Sequence, residues 1–270
     1  MTSISYMALL FLIIVVVDCM LLSMNAMYLC HFTKKLKNNS ETDENQQRVN
    51  KRSTKIENDK IFIAGVIRRV GKEDHLLCES SIISKYWTLT VSTCVDLISD
   101  HFDNNDKNIY ISAGFVNWKN GYRHNIKEFQ KYFNGKDAVA MIKVKNPFEY
   151  GTESPIKINR NALDVSKGLH VFGWSYYRSF QLSPSVKIID KHNCEERLIN
   201  YFGNRSTSTV SDTQFCINGC QFNIGSPIVS DGLLVGIAQK HNLRCSQALI
   251  PGVYVNVSKF VNWIDNVVVE

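Results

Sequence analysis

The sequence predicts an all-β protein of antiparallel sheet or barrel, and three observations carry that prediction. Of its 270 residues, 44% are apolar and 21% charged, with 14 Gly and 5 Pro, a globular composition that is neither disordered nor collagenous. After Lys60, short runs rich in β-branched and aromatic residues recur between polar turns. Helical periodicity marks the segment that closes the chain.

The chain opens on Met7 to Val17 (MALLFLIIVVV), an apolar run with the length of a signal-peptide core and short for a membrane span. Secretion is the first expectation, with residues 1–26 as signal peptide and the small Ala26 before the cut. An uncleaved anchor is the alternative, because apolar character resumes after Asp18 through CMLLSMNAMYLC, with Lys34, Lys35 and Lys37 behind it. Residues 27–60 read as a polar propeptide or linker, since from Lys37 to Lys60 Val49 and Ile56 are the only apolar residues. Within it, Lys51-Arg52 is a dibasic pair of the kind that processing proteases cut.

Residues 61–270, about 210 in number, are enough to bury one core and read as a single domain. Its strand runs are IFIAGVI (61–67), YWTLTV (86–91), NIYISAG (108–114), AVAMIKV (138–144), LHVFGW (169–174), PIVS (227–230), LLVGIA (233–238) and GVYVNV (252–257). The closing SKFVNWIDNVV places Phe260, Trp263, Ile264, Val267 and Val268 on one face of a helix.

The net charge of +6 comes from 31 basic and 25 acidic side chains, of which 23 and 19 lie beyond residue 60. So mild an excess, with no recognisable nucleic-acid module, argues against a nucleic-acid partner. Six of the eight cysteines (Cys78, Cys94, Cys194, Cys216, Cys220 and Cys245) fall in the domain, an even number that suits a disulfide framework in an exported protein. A zinc site is the competing reading, but there is no C-x-x-C or H-E-x-x-H, so no metal and no cofactor are expected. N-x-S sequons at Asn38, Asn204 and Asn256 fit a secretory route. Cleavage after Ala26 would leave Cys30 as an odd thiol able to pair with another chain.

Five ordered segments resemble one family. CESSIISKYWTLTVSTC (78–94) is similar to the C-G-G-S-L-I-x-x-x-W-V-L-T-A-A-H-C segment of trypsin-like serine proteases. Asp137-Ala138-Val139-Ala140-Met141 is similar to D-I-A-L-L, and Gly173-Trp174 to the family's G-W. CQFNIGSPIV from Cys220 resembles C-x-G-D-S-G-G-P-L-V, and PGVYVNVSKFVNWI from Pro251 resembles P-G-V-Y-x-x-V-x-x-Y-x-x-W-I. The resemblance implies two six-stranded antiparallel barrels with a C-terminal helix, and disulfides pairing Cys78 with Cys94, Cys194 with Cys216 and Cys220 with Cys245.

The family's chemistry needs a hydroxyl nucleophile, an imidazole base and a carboxylate that holds the imidazole. The resemblance puts Thr93 at the His position, Asp137 at the Asp position and Ile224 at the Ser position. Threonine is no base near neutral pH and isoleucine has no heteroatom, so no triad is intact. A slipped alignment that makes Ser226 the nucleophile still lacks a histidine. The histidines present (His31, His75, His101, His124, His170, His192 and His241) fall in segments read as loops or strand ends, as surface or satisfied structural groups.

The supporting positions differ as well. Phe222 stands where a glycine supplies an oxyanion-hole amide, and Asn223 where an Asp pairs with the N-terminus released by activation. There is no R/K-I-V-G-G, the nearest stretch being Lys60-Ile61-Phe62-Ile63-Ala64-Gly65. The specificity-pocket positions are Asn218, Gly219 and Gly252, and the substrate-binding S-W-G becomes Gln239-Lys240-His241. The resemblance thus implies a secreted, non-catalytic protease homolog that binds a protein partner (a protease, inhibitor or receptor), with Phe222 and residues 239–241 as contact patch. The alternatives are an endopeptidase with an unrecognised nucleophile and a membrane-tethered version of the same module.

Overall fold

The structure, a computed structural model, describes residues 61–99, 108–134, 137–149, 151–174, 180–183, 185–203, 208–218, 223–239 and 250–269. The first sheet is a closed barrel of order β1-β2-β3-β6-β5-β4. Its strands are β1 (Ile63–Val70), β2 (Glu73–Ile82), β3 (Trp87–Val91), β4 (Ile109–Ala113), β5 (Tyr122–Asn134) and β6 (Asp137–Val144). Gly71, at φ +63, turns β1 into β2, a conformation that glycine adopts without a Cβ penalty. Ala64, Val66, Leu89, Ile111, Met141 and Ile142, each inaccessible to solvent, belong to the core around which the ladder closes.

The second sheet runs β10-β11-β14-β13-β12-β8-β9, with the two-residue β7 (Lys157–Ile158) pairing β13 in parallel off this path. Its members are β8 (His170–Trp174), β9 (Phe180–Leu182), β10 (Lys187–Ile189), β11 (Gln214–Asn218), β12 (Pro227–Ser230), β13 (Leu233–Ala238) and β14 (Gly252–Asn256). The two-barrel fold expected from the sequence is present: the first sheet is closed, and among the described residues the second is a half-barrel. Its edge strands β9 and β10 are three residues each, and the segments leading into β8 and β10 meet at an isolated bridge, where Val186 N donates to Leu169 O at 2.8 Å.

Among the described residues, three α-helices complete the domain. The first, α1 (Ser92–Ser99), follows β3 without a break; Ser92 Oγ donates to Val139 O at 3.0 Å, and Cys94 is tied back to Cys78. Asp190 accepts from Asn193 N at the start of α2 (Lys191–Phe202), Gly203 at φ +76 ends it, and Cys194–Cys216 staples it to β11. A 3₁₀ turn, Val257–Phe260, leads into α3 (Val261–Val269), so the closing helix predicted over 258–268 begins as a tighter turn. Tyr132 of β5 meets Phe260 and Trp263 edge-on at 5.3 and 5.6 Å, which docks the C-terminus on the first barrel.

Two of the three implied disulfides are formed; Cys220 and Cys245 lie outside the described residues. Among the described residues no helix is long and apolar enough to cross a membrane. The segment read as signal peptide or anchor, Lys51-Arg52 and the sequons at Asn38 and Asn204 also lie outside them.

Candidate functional site

Three of the segments that carry the family resemblance meet at Glu79, Trp174 and residues 223–226. Ile224 sits in a turn whose ends are tied together: Ser226 N donates to Asn223 O at 3.1 Å, and Asn223 N donates to Ser226 Oγ at 2.8 Å. β2 runs directly beneath, with Glu79 N donating to Ile224 O at 2.8 Å. Gly225 makes this approach possible. At φ +84, a Cβ there would lie 1.8 Å from Glu79 O and 2.6 Å from Thr90 Oγ1.

The side chain of Glu79 is the centre of the site. It is fully buried, and both oxygens are occupied. Trp174 N and Asn223 Nδ2 donate to Oε1 at 2.8 and 2.6 Å, and Ser226 Oγ donates to Oε2 at 2.8 Å. Asn223 Nδ2 also reaches Trp174 O at 3.0 Å, so one amide joins β8, β2 and the turn. Burial pushes the Glu79 carboxyl up from 4.5 to about 7, against the pull of its three donors. The buried Tyr254 phenol of β14 is held well above its ordinary value by burial first and by the charge of Glu79 second.

Glu79 stands where the family motif has glycine, and Asn223 where it has Asp. The carboxyl group at this junction is supplied by β2, and the residue matched to the motif's Asp is its amide donor. Because this pairing joins residues 144 apart in the chain, reading each motif alone did not reveal it.

The positions assigned to chemistry are arranged without chemistry between them. Thr93, second residue of α1, is exposed, while Ile224 packs partly buried against the core. Asp137 opens β6 opposite Asn134. Ser226 is fully buried and its hydroxyl is already engaged by Glu79 and Asn223, so it presents no nucleophile to a substrate. Of the described histidines, His124 is buried near the start of β5, where Nε2 meets Glu153 at 2.7 Å and Nδ1 meets Asn146 O at 3.2 Å. Its place at a strand end, with both ring nitrogens engaged, accounts for it as a satisfied structural group. His170 lies 3.4 Å from Ser183 O, His75 is 3.9 Å from Glu73, and His192 is exposed on α2.

At the specificity positions, Asn218 is exposed at the end of β11 and Gly252 opens β14 opposite Ile217. Gln239 is half-buried; its backbone N–H donates to Val253 O at 3.0 Å and its side chain accepts from Gln214 Nε2. Asn256 caps the 3₁₀ turn, accepting from Ser258 N at 3.2 Å and Ser258 Oγ at 2.8 Å. Gly219, Phe222, Lys240 and His241 lie outside the described residues.

Comparison with known proteins agrees with this geometry. The chain is 22% identical over 230 residues to the snake venom serine protease homolog rhinocerase 2 of Bitis rhinoceros, covering 78% of this chain and 84% of the relative. It is 26% identical over 222 residues to kallikrein-11 of Mus musculus, covering 73% and 75%. Among solved structures, the scabies mite inactivated protease paralogue S-I1 superposes with a TM-score of 0.61 at 18% identity, over 77% of this chain and 93% of the other. Kallikrein-related peptidase 10 gives 0.59 at 20%, over 77% and 95%. The trypsin family model matches residues 49–264, beginning at Val49 directly after Arg48, and the chain belongs to the trypsin family of serine proteases and their homologs.

Proposed function

We propose that this chain is a secreted trypsin-family homolog without peptidase activity, acting through its surface as a protein-binding or regulatory module. The observation that carries the reading is the turn at Ile224. The side chain in the nucleophile position is a hydrocarbon, and the adjacent hydroxyl of Ser226 is locked into a buried carboxyl. Thr93, in the base position, has no basicity near neutral pH. Fold and activity separate in such a protein, because a frame of this kind keeps its packing after its reacting groups are replaced. The names of two similar proteins, a venom protease homolog and an inactivated mite paralogue, favour the same reading. The six domain cysteines and three sequons support export.

Incubation with casein and a mixed peptide library, beside a trypsin control, tests this. No new termini are expected. Cleavage that a serine-directed inhibitor abolishes would overturn the proposal.

A further inference from the structure

A cavity of about 650 Å³ opens beside β7 and β8, and none of the residues that hold Glu79 lines it. Its apolar wall is made by Phe62, Ile156, Phe172 and Val229, the last three of them more than nine-tenths buried. Phe62 and Phe172 meet edge-on with ring centroids 5.4 Å apart, so each ring fixes the other. A concave space of this volume, mostly apolar and with a few polar groups, suits one small organic molecule, whereas a protein partner is met by a broader face.

The polar groups on the wall are few and unsatisfied. Ser154 is 5% exposed; its N–H donates to Ile61 O at 3.3 Å, but its hydroxyl has no hydrogen-bond partner among the described residues. A buried hydroxyl in that state is a cost to the fold, and a ligand oxygen that accepts from it removes the cost. Lys157 of β7 is exposed and, among the described residues, has no carboxylate within ion-pair distance. His170 of β8 lines the same space, with Nδ1 3.4 Å from Ser183 O.

The acids nearby are already engaged. Asp231, on the cavity wall, is held by Lys167 Nζ at 2.6 Å. Glu153, next to Ser154, is committed to His124 Nε2 and accepts from Glu149 N at 2.8 Å. Ile61 pairs with Glu153 in parallel and donates to Thr152 O, so the chain comes in from the Thr152 side, opposite the end where Lys157 lies.

Together these groups select a ligand. Rings and aliphatic side chains take an apolar body, while a hydroxyl donor and an uncompensated ammonium take an anionic oxygen and disfavour a cationic head. We propose that the cavity binds a single-chain amphipathic carboxylate of the fatty-acid class, its tail against the Phe62 and Phe172 rings and its carboxylate accepting from Ser154 Oγ beside Lys157. The site stands apart from the triad positions, and its test does not involve peptidase activity.

Equilibrium dialysis of the full chain against radiolabelled dodecanoate below its micelle concentration is the test, with decanoate, octanoate and dodecyltrimethylammonium as competitors. Saturable one-to-one binding is expected, with competition falling about tenfold for each two methylenes removed and at least tenfold for the cationic head. Ser154→Ala should weaken binding about tenfold without lowering the melting temperature, because the hydroxyl has no internal partner to lose. Lys157→Glu should weaken it about fivefold, and Lys259→Glu, an exposed cation on the 3₁₀ turn before α3, should change nothing. Should Ser154→Ala destabilise the fold after all, the exposed Lys157→Glu decides. Absence of saturable binding, equal competition by the cation, affinity unaltered in both cavity variants, or equal weakening by Lys259→Glu would overturn the inference.

Discussion

Glu79→Gln should remove a pH dependence from the stability of the domain. In the fold the Glu79 carboxyl titrates near 7, and the ordinary value in an unfolded chain is 4.5. Folding thus favours the protonated acid. The contribution is fully present below pH 4.5 and is lost as pH rises through about 7. That step corresponds to about 3 kcal/mol. For a domain of this size it amounts to a fall in Tm on the order of 10 °C between pH 5 and pH 8. Glutamine reproduces the protonated pattern: its carbonyl can accept from Trp174 N and Asn223 Nδ2, and its amide can donate to Ser226 Oγ. The variant should keep its stability where the parent loses it.

The assay is urea denaturation of both proteins at pH 5, 6, 7 and 8. Subtracting one profile from the other cancels every other titrating group. The expected difference grows from pH 5 to about pH 7 and flattens toward pH 8. Parallel profiles, or a variant that loses stability faster than the parent, would refute the reasoning.

Three further outcomes follow from the same geometry. Gly225→Ala places a methyl 1.8 Å from Glu79 O at φ +84 and should cost about 3 kcal/mol or more, read from its urea midpoint and from the yield of folded protein. Replacing Cys78 and Cys94 together by Ala opens a link of sequence separation 16 and should cost about 3 kcal/mol by calorimetry. Thr93→His with Ile224→Ser restores two side chains of the triad but not the oxyanion glycine replaced by Phe222, so ester and amide substrates should stay uncut; a pre-steady-state burst would show otherwise.

Much of this could be read from residues whose local chemistry is unambiguous. The β-branched runs at 86–91, 138–144, 169–174 and 227–230 each became strands close to their predicted bounds, and Trp87 and Trp174 are buried anchors in two of them. β2 was not foreseen because its first half, Glu73-Asp74-His75, is polar and partly exposed, and its buried half holds Glu79, Ser80 and Ser81, which do not alternate as a half-buried strand does. α2 was missed for a similar reason. Only Cys194 and Leu198 are buried on it, so its stability comes from the Asp190 cap and the disulfide rather than from an apolar stripe.

At the site, the substitutions at 93, 222, 223 and 224 were visible in the motifs. The pairing of Asn223 with Glu79 was not. A glutamate in a motif glycine position reads as a simple loss until the fold brings Asn223, Ser226 and the Trp174 backbone to its two oxygens. The sequence pattern says that a side chain has changed; only the register of β2 against the turn says what it touches.

The central claim is that no nucleophile stands at this junction. Treatment of the purified, processed protein with a fluorophosphonate probe, followed by intact mass measurement, tests it most directly. The account predicts an unchanged mass under conditions that label a trypsin control fully. Stoichiometric addition of the probe to any serine, Ser226 above all, would contradict it.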